Sequence, residues 1–376
     1  MSALLDTVDP DGKLEFSVVF TDRSLNHMSA KFQKVMLDIN EGLKEVYNAG
    51  GVAIVPGGGT YAMEAVARQF AAGQPCVIVR NGWFSFRWTQ ILDAGGFGGE
   101  ATVMRARQTG NEANAPFAPA PIEEVTARIR ADKPGIVFAP HVETSSGIIL
   151  PDAYIKALAA AAHEVGALMV LDCIASGCAW VDMKETGVDV LISAPQKGWS
   201  STPCAGLVMM SERALARLEE TTSDSFSADL GKWRAIMAAY EGGGHAYHAT
   251  MPTDGLTAFR DTMAETRDYG FERLRDAQWE LGTKVRAALR LRGIASVAAE
   301  GYGAPGVVVS YTDDPGVQNG SKFGALGVQI AAGVPLQVGE PEGFSTFRLG
   351  LFGLDKLIDV DATVARLEAA LDKAIG

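Results

Sequence analysis

The chain has 376 residues, of which 47% are hydrophobic and 21% charged, a composition typical of a soluble globular protein with about two domains. Its formal net charge of −12 at pH 7 argues against a DNA or RNA partner, because nucleic-acid binding depends on basic side chains that neutralise phosphates. The four cysteines include no C-x-x-C pair and are too few for a disulfide framework, so we expect a reducing cytoplasm. No stretch reads as a membrane span, and the opening residues, MSALLDTVDPDGK, lack the pattern of a secretory signal peptide.

The first predicted element is an amphipathic helix from residue 28 to residue 47, because apolar side chains recur there at three- and four-residue spacing. Residues 1–27 before it are expected to form an N-terminal arm. Short apolar runs then alternate with helical segments: VAIV at 52–55, CVIV at 76–79, IVFA at 136–139, LMVL at 168–171, VLIS at 190–193 and GLVMM at 206–210. This alternation predicts a large α/β domain over residues 28–255, with a mostly parallel central sheet covered on both faces.

The pattern changes after a loop rich in glycine and histidine, EGGGHAYHATMPTDG at 241–255. A long helix is predicted from about Leu256 to Leu291, followed by alternating strands and a closing helix. We therefore expect a smaller C-terminal α+β domain over residues 256–376. The loop histidines, His245 and His248, have no clustered cysteine or histidine beside them, so no metal site is predicted.

A glycine-rich turn follows the first strand of the large domain, in VAIVPGGGTYAMEA. The strand is expected to stop at Pro56 and the next helix to begin at about Tyr61, which leaves backbone N–H groups free at a helix N-terminus, a common phosphate site. The same turn also fits G-x-G-x-x-A, the weak form of the dinucleotide fingerprint. Because the next strand ends in Arg80 rather than near an acidic residue, that alternative survives only as an NADP-dependent dehydrogenase.

Two charged residues follow two further strands of the predicted sheet. Asp172 ends the apolar strand in ALMVLDCIAS, and Lys197 follows the strand in DVLISAPQK. Together with the loop from Gly58 to Thr60, they match the three needs of pyridoxal 5′-phosphate: a lysine for the Schiff base with its aldehyde, a carboxylate for its ring nitrogen and a helix N-terminus for its phosphate. Lys197 in a half-apolar pocket would lose its charge readily and could move protons.

These residues resemble the class V aminotransferases of fold type I, especially the alanine:glyoxylate and serine:pyruvate group, over nearly the whole chain from Met28 onward. GGGTYAMEA resembles the phosphate loop of that family, which implies that Gly58, Gly59 and Thr60 contact the phosphate. NGWFSFR is similar to the segment whose aromatic ring stacks on the cofactor, which implies Phe84 in that role, with Trp83 as the alternative.

The resemblance also assigns residues in four later segments. HVETSSG implies that Thr144 lies near the cofactor's phenolic oxygen, and SAPQK places Gln196 beside the phosphate. HAYHATMP resembles a segment that reaches the partner subunit's site, so Tyr247 and Thr250 would contact the partner's phosphate group in a homodimer with shared active sites. FSTFRLGLFG resembles the strand whose arginine, here Arg348, binds the substrate carboxylate.

The sequence departs from the family before the first helix. The family has a P-G-P stretch there that lines the substrate pocket, whereas this chain reads EFSVVFTDRSLNH. Four polar residues of this arm are expected to line the pocket instead, which would favour a polar or acidic substrate: Asp22, Arg23, Asn26 and His27.

The resemblance implies an aminotransferase that moves an amino group from a small amino acid, such as alanine or serine, to glyoxylate or pyruvate. Within the same cofactor chemistry, two alternatives are a 2-aminoethylphosphonate-type aminotransferase and a lyase such as a cysteine desulfurase. The lyase is disfavoured because no cysteine occurs after Cys204. The NADP-dependent dehydrogenase, from a different class, leaves Asp172 and Lys197 unexplained.

Overall fold

The computed structural model describes residues 13–375 of the chain; the first twelve residues of the predicted N-terminal arm lie outside this range. Helices and strands alternate over the first part of the described chain, in this order: α1 (Ala30–Tyr47), β1 (Gly51–Pro56), α2 (Gly59–Phe70), β2 (Cys76–Arg80), α3 (Trp83–Gly95), β3 (Ala101–Arg105), β4 (Arg107–Gln108), β5 (Phe117–Ala118), α4 (Ile122–Asp132), β6 (Ile136–Pro140), β7 (Val142–Glu143), β8 (Ile148–Ile149), α5 (Asp152–Glu164), β9 (Leu168–Asp172), α6 (Met183–Thr186), β10 (Val190–Ser193) and β11 (Ala205–Met210).

The second part of the chain is mostly helical. It contains α7 (Glu212–Glu220), α8 (Leu230–Glu241), α9 (Thr253–Tyr269), α10 (Phe271–Leu291), β12 (Val307–Tyr311), α11 (Pro315–Gln318), α12 (Ser321–Gly324), β13 (Ala331–Ala332), β14 (Thr346–Gly350), α13 (Leu354–Leu357) and α14 (Val360–Ala374). None of the helices in residues 13–375 is both long enough and apolar enough to cross a membrane.

The predicted first helix forms as α1. Ser29 caps its N-terminus by accepting a hydrogen bond from the Phe32 N–H, and the chain leaves the helix at Asn48 in a left-handed conformation. The predicted apolar face of α1 packs against the protein interior, and five of its side chains are buried: Phe32, Val35, Met36, Ile39 and Leu43.

A seven-stranded sheet forms the centre of the molecule, in the order β1-β11-β10-β9-β6-β2-β3. All six apolar runs singled out in the sequence are strands of this sheet, and their neighbours pair in parallel except for β11, which is antiparallel to both β1 and β10. The prediction of an α/β fold with a mostly parallel sheet is therefore confirmed. Because every parallel strand runs the same way as β1, their carboxyl ends meet at one edge of the sheet.

The prediction of one continuous helix from about Leu256 to Leu291 is wrong. The segment forms two helices, α9 and α10, separated at Gly270, which adopts φ 101° and ψ 120°. This left-handed φ favours glycine and ends α9. The pattern of apolar residues continues across the break, so periodicity alone does not reveal it.

The C-terminal region has its own antiparallel sheet, in the order β12-β14-β13, packed with α10 and the closing helix α14. Its apolar core includes Leu274, Phe347 and Leu371, whereas α9 contributes Leu256 and Phe259 to the core of the large sheet. The change from one core to the other thus falls between α9 and α10. The predicted division into domains at residue 256 stays a prediction, with α9 packed on the large-domain side.

Candidate active site

The carboxyl edge of the sheet brings the three predicted strand ends together. A cavity of about 200 Å³ opens there between the start of α2, the start of α3 and the ends of β9 and β10. Its lining contains seven of the eleven residues predicted for the site: Gly59, Thr60, Phe84, Thr144, Asp172, Gln196 and Lys197. The other lining residues are Met63, Arg87, Val142, Ile174 and Ala175.

The glycine-rich turn forms the start of α2. The helix begins at Gly59, two residues earlier than expected, with Gly58 as its N-cap residue. The first turn of a helix leaves its N–H groups without acceptors inside the helix, so Gly59 and Thr60 present free donors at the cavity. A side chain at Gly59 would place its Cβ 2.3 Å from Ile174 Cδ1, so a larger residue there would force Ile174 to move within the cavity lining.

A second glycine supports this turn from behind. A Cβ at Gly206, on β11, would lie 2.4 Å from the Ala62 Cβ and 2.7 Å from the Gly58 carbonyl oxygen. The absence of a side chain at Gly206 therefore allows the N-terminus of α2 to pack directly on the sheet. Nothing in the sequence marked Gly206, because β11 pairs with β1 only in the folded chain.

Asp172 ends β9 with its side chain almost fully buried. Its Oδ1 accepts a hydrogen bond of 2.9 Å from the Ile174 N–H, and the side chain makes no ion pair within residues 13–375. Burial raises the pKa of Asp172 to about 7, the hydrogen bond from Ile174 offsets part of this rise, and the nearby charge of Glu143 adds a smaller rise. A carboxylate in this state lacks a cationic partner, which a protonated ring nitrogen would provide.

Lys197 follows β10 and is half-buried in the cavity lining. Burial lowers the pKa of its ammonium group, and the positive charge of Arg348 lowers it further. Its Nζ lies 5.3 Å from the centre of the Phe352 ring. The amine is therefore easier to deprotonate than that of an exposed lysine, as a nucleophile requires.

Gln196, next to Lys197, leaves a polar atom unsatisfied. Its Oε1 is buried and has no hydrogen-bond partner in the described chain. Buried polar atoms are normally paired, so this one indicates a missing ligand or water at the cavity.

Phe84 lines the cavity and Trp83 does not, which favours the first of the two predicted stacking residues. Trp83 instead packs against Phe86, with ring centres 6.0 Å apart. The stacking role of Phe84 stays a prediction, as does that of Thr144, which also lines the cavity.

The buried carboxylate of Glu143, which no sequence motif assigned to the site, holds the start of α3. Its oxygens accept hydrogen bonds from the N–H groups of Phe84 and Ser85 and from the Ser85 hydroxyl, at 2.6 to 3.1 Å. Ser145 donates to Glu143 as well and accepts from the Trp83 N–H at 2.8 Å. The first three N–H groups of α3 are therefore satisfied by the HVETSSG segment, which fixes Phe84 at the cavity. The H-x-E-T-S spacing could have drawn attention to this acid.

Arg348, on β14, lies beside the cavity lining. Its Cζ is 5.7 Å from the centre of the Phe84 ring, and its Nε donates a hydrogen bond of 2.8 Å to the Ala332 carbonyl oxygen. Burial lowers the pKa of its guanidinium, which nonetheless stays charged at neutral pH. The structure thus brings an arginine from the C-terminal region close to residues of the large sheet.

Two predicted residues lie away from the cavity of their own chain. Tyr247 and Thr250 are exposed in the loop before α9, and their hydroxyl groups are 3.1 Å apart. This exposure is what a contact with a second subunit would require, so their role stays a prediction.

The predicted pocket-lining role of the arm is not found in this cavity. The arm residues do not line it, and Asn26 and His27 are buried elsewhere, with Asn26 Nδ2 donating to the Glu15 carboxylate at 2.8 Å. Asp22 and Arg23 are exposed. The reason is that hydrogen bonds hold the end of the arm against α8 and α9: the Tyr240 hydroxyl donates to the His27 carbonyl oxygen, and Ser24 and Leu25 donate to the Asp254 carboxylate.

The dinucleotide alternative fails at Arg80. This side chain is buried, donates to the Thr89 hydroxyl at 2.7 Å and to the Gln337 carbonyl oxygen at 3.2 Å, and lies over the Phe86 ring. The bond to Gln337 joins β2 to the C-terminal region, and the buried guanidinium is not exposed to receive a 2′-phosphate. The NADP-dependent dehydrogenase is therefore wrong.

The fold and these residues fit pyridoxal phosphate. The unpaired buried carboxylate of Asp172, the lysine with a lowered pKa, the orphaned Gln196 oxygen and the free N–H groups at α2 each meet one need of that cofactor. The class defined by this sheet, its smaller C-terminal sheet and this site is that of the fold type I enzymes that use pyridoxal phosphate.

Comparison with known proteins gives the family. The family Aminotransferase class-V matches residues 15–301, and the chain therefore belongs to the class V aminotransferases. It is an aminotransferase, and its cofactor is pyridoxal phosphate.

Two curated relatives and one solved structure illustrate the similarity. A protein of Synechococcus sp. named soluble hydrogenase, small subunit, is 27% identical over 92% of this chain and 87% of its own length. The alanine–glyoxylate aminotransferase of Felis catus is 27% identical over 72% of this chain and 63% of its own length. The crystal structure of an alanine–glyoxylate aminotransferase from Nostoc sp. superimposes with a TM-score of 0.77 at 22% identity, covering 94% of this chain and 89% of that chain.

Proposed function

We propose that the protein transfers the amino group of a small amino acid, alanine or serine, to glyoxylate or pyruvate. The observation that carries the proposal is the position of Arg348, whose guanidinium lies beside the Phe84 ring and close enough to lower the pKa of Lys197. A cation in this position suits the carboxylate of an α-amino acid whose amine reacts at Lys197. The similarity to alanine–glyoxylate aminotransferases supports the same choice of substrates.

In this proposal, each residue has a defined task. Pyridoxal phosphate supplies an aldehyde that takes up the amino group and a ring that accepts the electrons released at the substrate Cα. Lys197 would hold the cofactor through its Nζ, and its free amine would serve as the base that takes a proton from the substrate Cα. Asp172 would keep a proton on the ring nitrogen, Arg348 would orient the substrate carboxylate, and Phe84 would pack against the ring.

We also propose that the active form is a homodimer in the cytoplasm. Three aromatic side chains that are exposed in the single chain support the dimer: Tyr61 on α2, Phe226, and Tyr247 in the loop before α9. All four cysteines are free and buried, which agrees with a reducing compartment.

The test follows the near-ultraviolet and visible absorbance of the purified holoenzyme. We expect the band of the lysine-bound cofactor to disappear on addition of L-alanine and to return on addition of glyoxylate. Lys197→Ala should lack this band and nearly all turnover, because no other amine occupies its place, whereas Lys184→Ala, an exposed lysine on α6, should behave as wild type.

Other results would redirect the assignment. A band that ignores alanine and serine but responds to 2-aminoethylphosphonate would replace the proposed substrate class. Normal turnover of the Lys197 variant would contradict the role given to this residue.

A further inference from the structure

The cavity contains one charged side chain that the proposed reaction does not use. Arg87 lies on α3, three residues after Phe84, and lines the cavity. Its Nη1 donates a hydrogen bond of 2.8 Å to Thr60 Oγ1, and its Cζ is 5.1 Å from the centre of the Phe84 ring. Within residues 13–375 it forms no ion pair with a carboxylate. Its charge is therefore free for a ligand.

The charges of the site can be matched one by one. In the proposed function, Asp172 faces the ring nitrogen and Arg348 faces the substrate carboxylate, while Lys197 bonds to the aldehyde. The remaining charge is the phosphate of the cofactor, a phosphate monoester that carries about −1.5 to −2 at neutral pH. The ligands predicted for it in this chain are all neutral: Gly58, Gly59, Thr60 and Gln196. Among the cationic residues that line the cavity, Arg87 is the one left without a task.

We propose that Arg87 binds and neutralises the phosphate group of the cofactor, as the charged member of an otherwise neutral loop. The hydrogen bond to Thr60 places the guanidinium at the N-terminus of α2, where the phosphate is expected. The Thr60 hydroxyl accepts from Arg87 and keeps its own hydrogen to donate to a phosphate oxygen. A guanidinium also offers two parallel N–H groups to a phosphate, which strengthens the contact.

This role makes α3 a support for two parts of the cofactor. Residues three apart lie on the same face of a helix, so Phe84 and Arg87 point into the same cavity. Glu143, which fixes the start of α3, thereby positions the ring contact and the phosphate contact together. The inference rests on the proposed placement of the phosphate at residues 58–60.

The test compares pyridoxal phosphate with pyridoxal, which has the same ring and aldehyde but no phosphate. Both are titrated into cofactor-free wild-type protein and into Arg87→Gln and Arg87→Lys, and binding is followed by absorbance and by tryptophan fluorescence. We expect Arg87→Gln to weaken pyridoxal phosphate by about 10- to 100-fold, as for the loss of a charge-assisted hydrogen bond. Pyridoxal should bind this variant as it binds wild type, and Arg87→Lys should restore much of the affinity for pyridoxal phosphate.

Two outcomes would overturn the inference. Equal weakening of both ligands would mean that Arg87 acts on the ring or on the fold, and unchanged affinity for pyridoxal phosphate would mean that it does not contact the phosphate. If the Gln variant does not fold, Arg87→Met, which also removes the charge, gives the same comparison.

Thr60→Ala, measured in parallel, separates this inference from the proposed phosphate site. If Thr60→Ala loses the preference for pyridoxal phosphate over pyridoxal and Arg87→Gln keeps it, the loop assignment stands and the role of Arg87 fails. If wild-type protein shows no such preference, both fail.

Discussion

At the scale of single residues, the site depends on two side chains whose ordinary ionisation is altered by burial. Asp172 sits almost without solvent at the end of β9, and Lys197 sits half-buried after β10. Burial disfavours the charged form of each, so it raises the pKa of the acid and lowers the pKa of the amine. In the cofactor-free protein, burying the ionised carboxylate of Asp172 costs free energy. The same low-dielectric setting would strengthen its attraction to a protonated ring nitrogen.

The raised pKa of Asp172 predicts that the stability of the cofactor-free protein depends on pH. Because the pKa of Asp172 is about 7 when folded and about 3.9 in an unfolded chain, the folded cofactor-free protein holds more protons than the unfolded chain between about pH 4 and pH 7. Its free energy of unfolding should therefore fall as the pH rises through this window. The Asp172→Asn variant has no carboxyl group to ionise at this position, so its free energy of unfolding should fall less over the same pH range. Urea unfolding of both proteins across the window measures the difference, and identical pH profiles would contradict the assignment.

Arg348→Gln tests the carboxylate contact. We expect the KM for alanine to rise by an amount equivalent to roughly 2 to 5 kcal/mol, because the substrate carboxylate would lose its charged partner. An amine without a carboxylate serves as the matched control substrate, and its KM should change little. Steady-state kinetics on both substrates tests this contact. An equal rise in KM for alanine and for the control amine would mean that Arg348 has a purely structural role.

At the scale of secondary structure, the placement of α3 is the feature that the site depends on most. The HVETSSG segment satisfies the first N–H groups of this helix through Glu143 and Ser145. Helix ends buried without such partners are destabilising, so this capping acts on both the fold and the position of Phe84.

Glu143→Ala should therefore lower the free energy of unfolding by at least about 3 kcal/mol, because it leaves several buried donors unpaired. Glu143→Gln keeps one acceptor oxygen and should lose less. Glu64→Ala, which removes a half-exposed carboxylate paired with Arg68 on α2, should cost less than about 1 kcal/mol. Urea unfolding of the three variants gives the order, and a Glu143→Ala protein as stable as wild type would rule out the capping role.

The elements also show why some sequence predictions succeed and others fail. The six apolar runs became strands because their length and their flanking helical segments leave few other arrangements. The break between α9 and α10 was missed because it depends on the backbone of one glycine, Gly270, while the apolar spacing runs on through it. Gly206 was missed because its role comes from a contact with α2, more than a hundred residues away in the chain.

At the scale of the whole molecule, the active site is assembled from both parts of the chain. Arg348 comes from β14 of the C-terminal sheet and lies beside the ring of Phe84 on α3. A further joint is formed by Arg80, which donates from β2 to the Gln337 carbonyl oxygen. The substrate binding proposed for Arg348 would thereby depend on the relative position of the two sheets.

A proposed second subunit completes this assembly and predicts complementation. Lys197→Ala lacks the nucleophile, and the double variant Tyr247→Phe with Thr250→Ala would lack the groups offered to the partner. Mixed dimers of the two should contain one site with every wild-type residue. If subunits exchange at random, about a quarter of wild-type activity should return on mixing. Failure to recover any activity, with mixed dimers verified by differential tagging, would contradict the shared site.

The sequence by itself determined the α/β class, because local periodicity shows where the strands and helices lie. It also indicated pyridoxal phosphate as the cofactor, because its lysine, aspartate and glycine loop are residue types that this cofactor requires. The tertiary structure decided what lies next to what: Arg87 beside Thr60, Arg348 beside Phe84, and Glu143 under α3. It also left Asp22, Arg23, Asn26 and His27 out of the cavity lining and committed Arg80 to an internal contact. The physical reason is that hydrogen bonds, burial and charge act over distances in space, and residues far apart in sequence become neighbours only when the sheets and helices have packed.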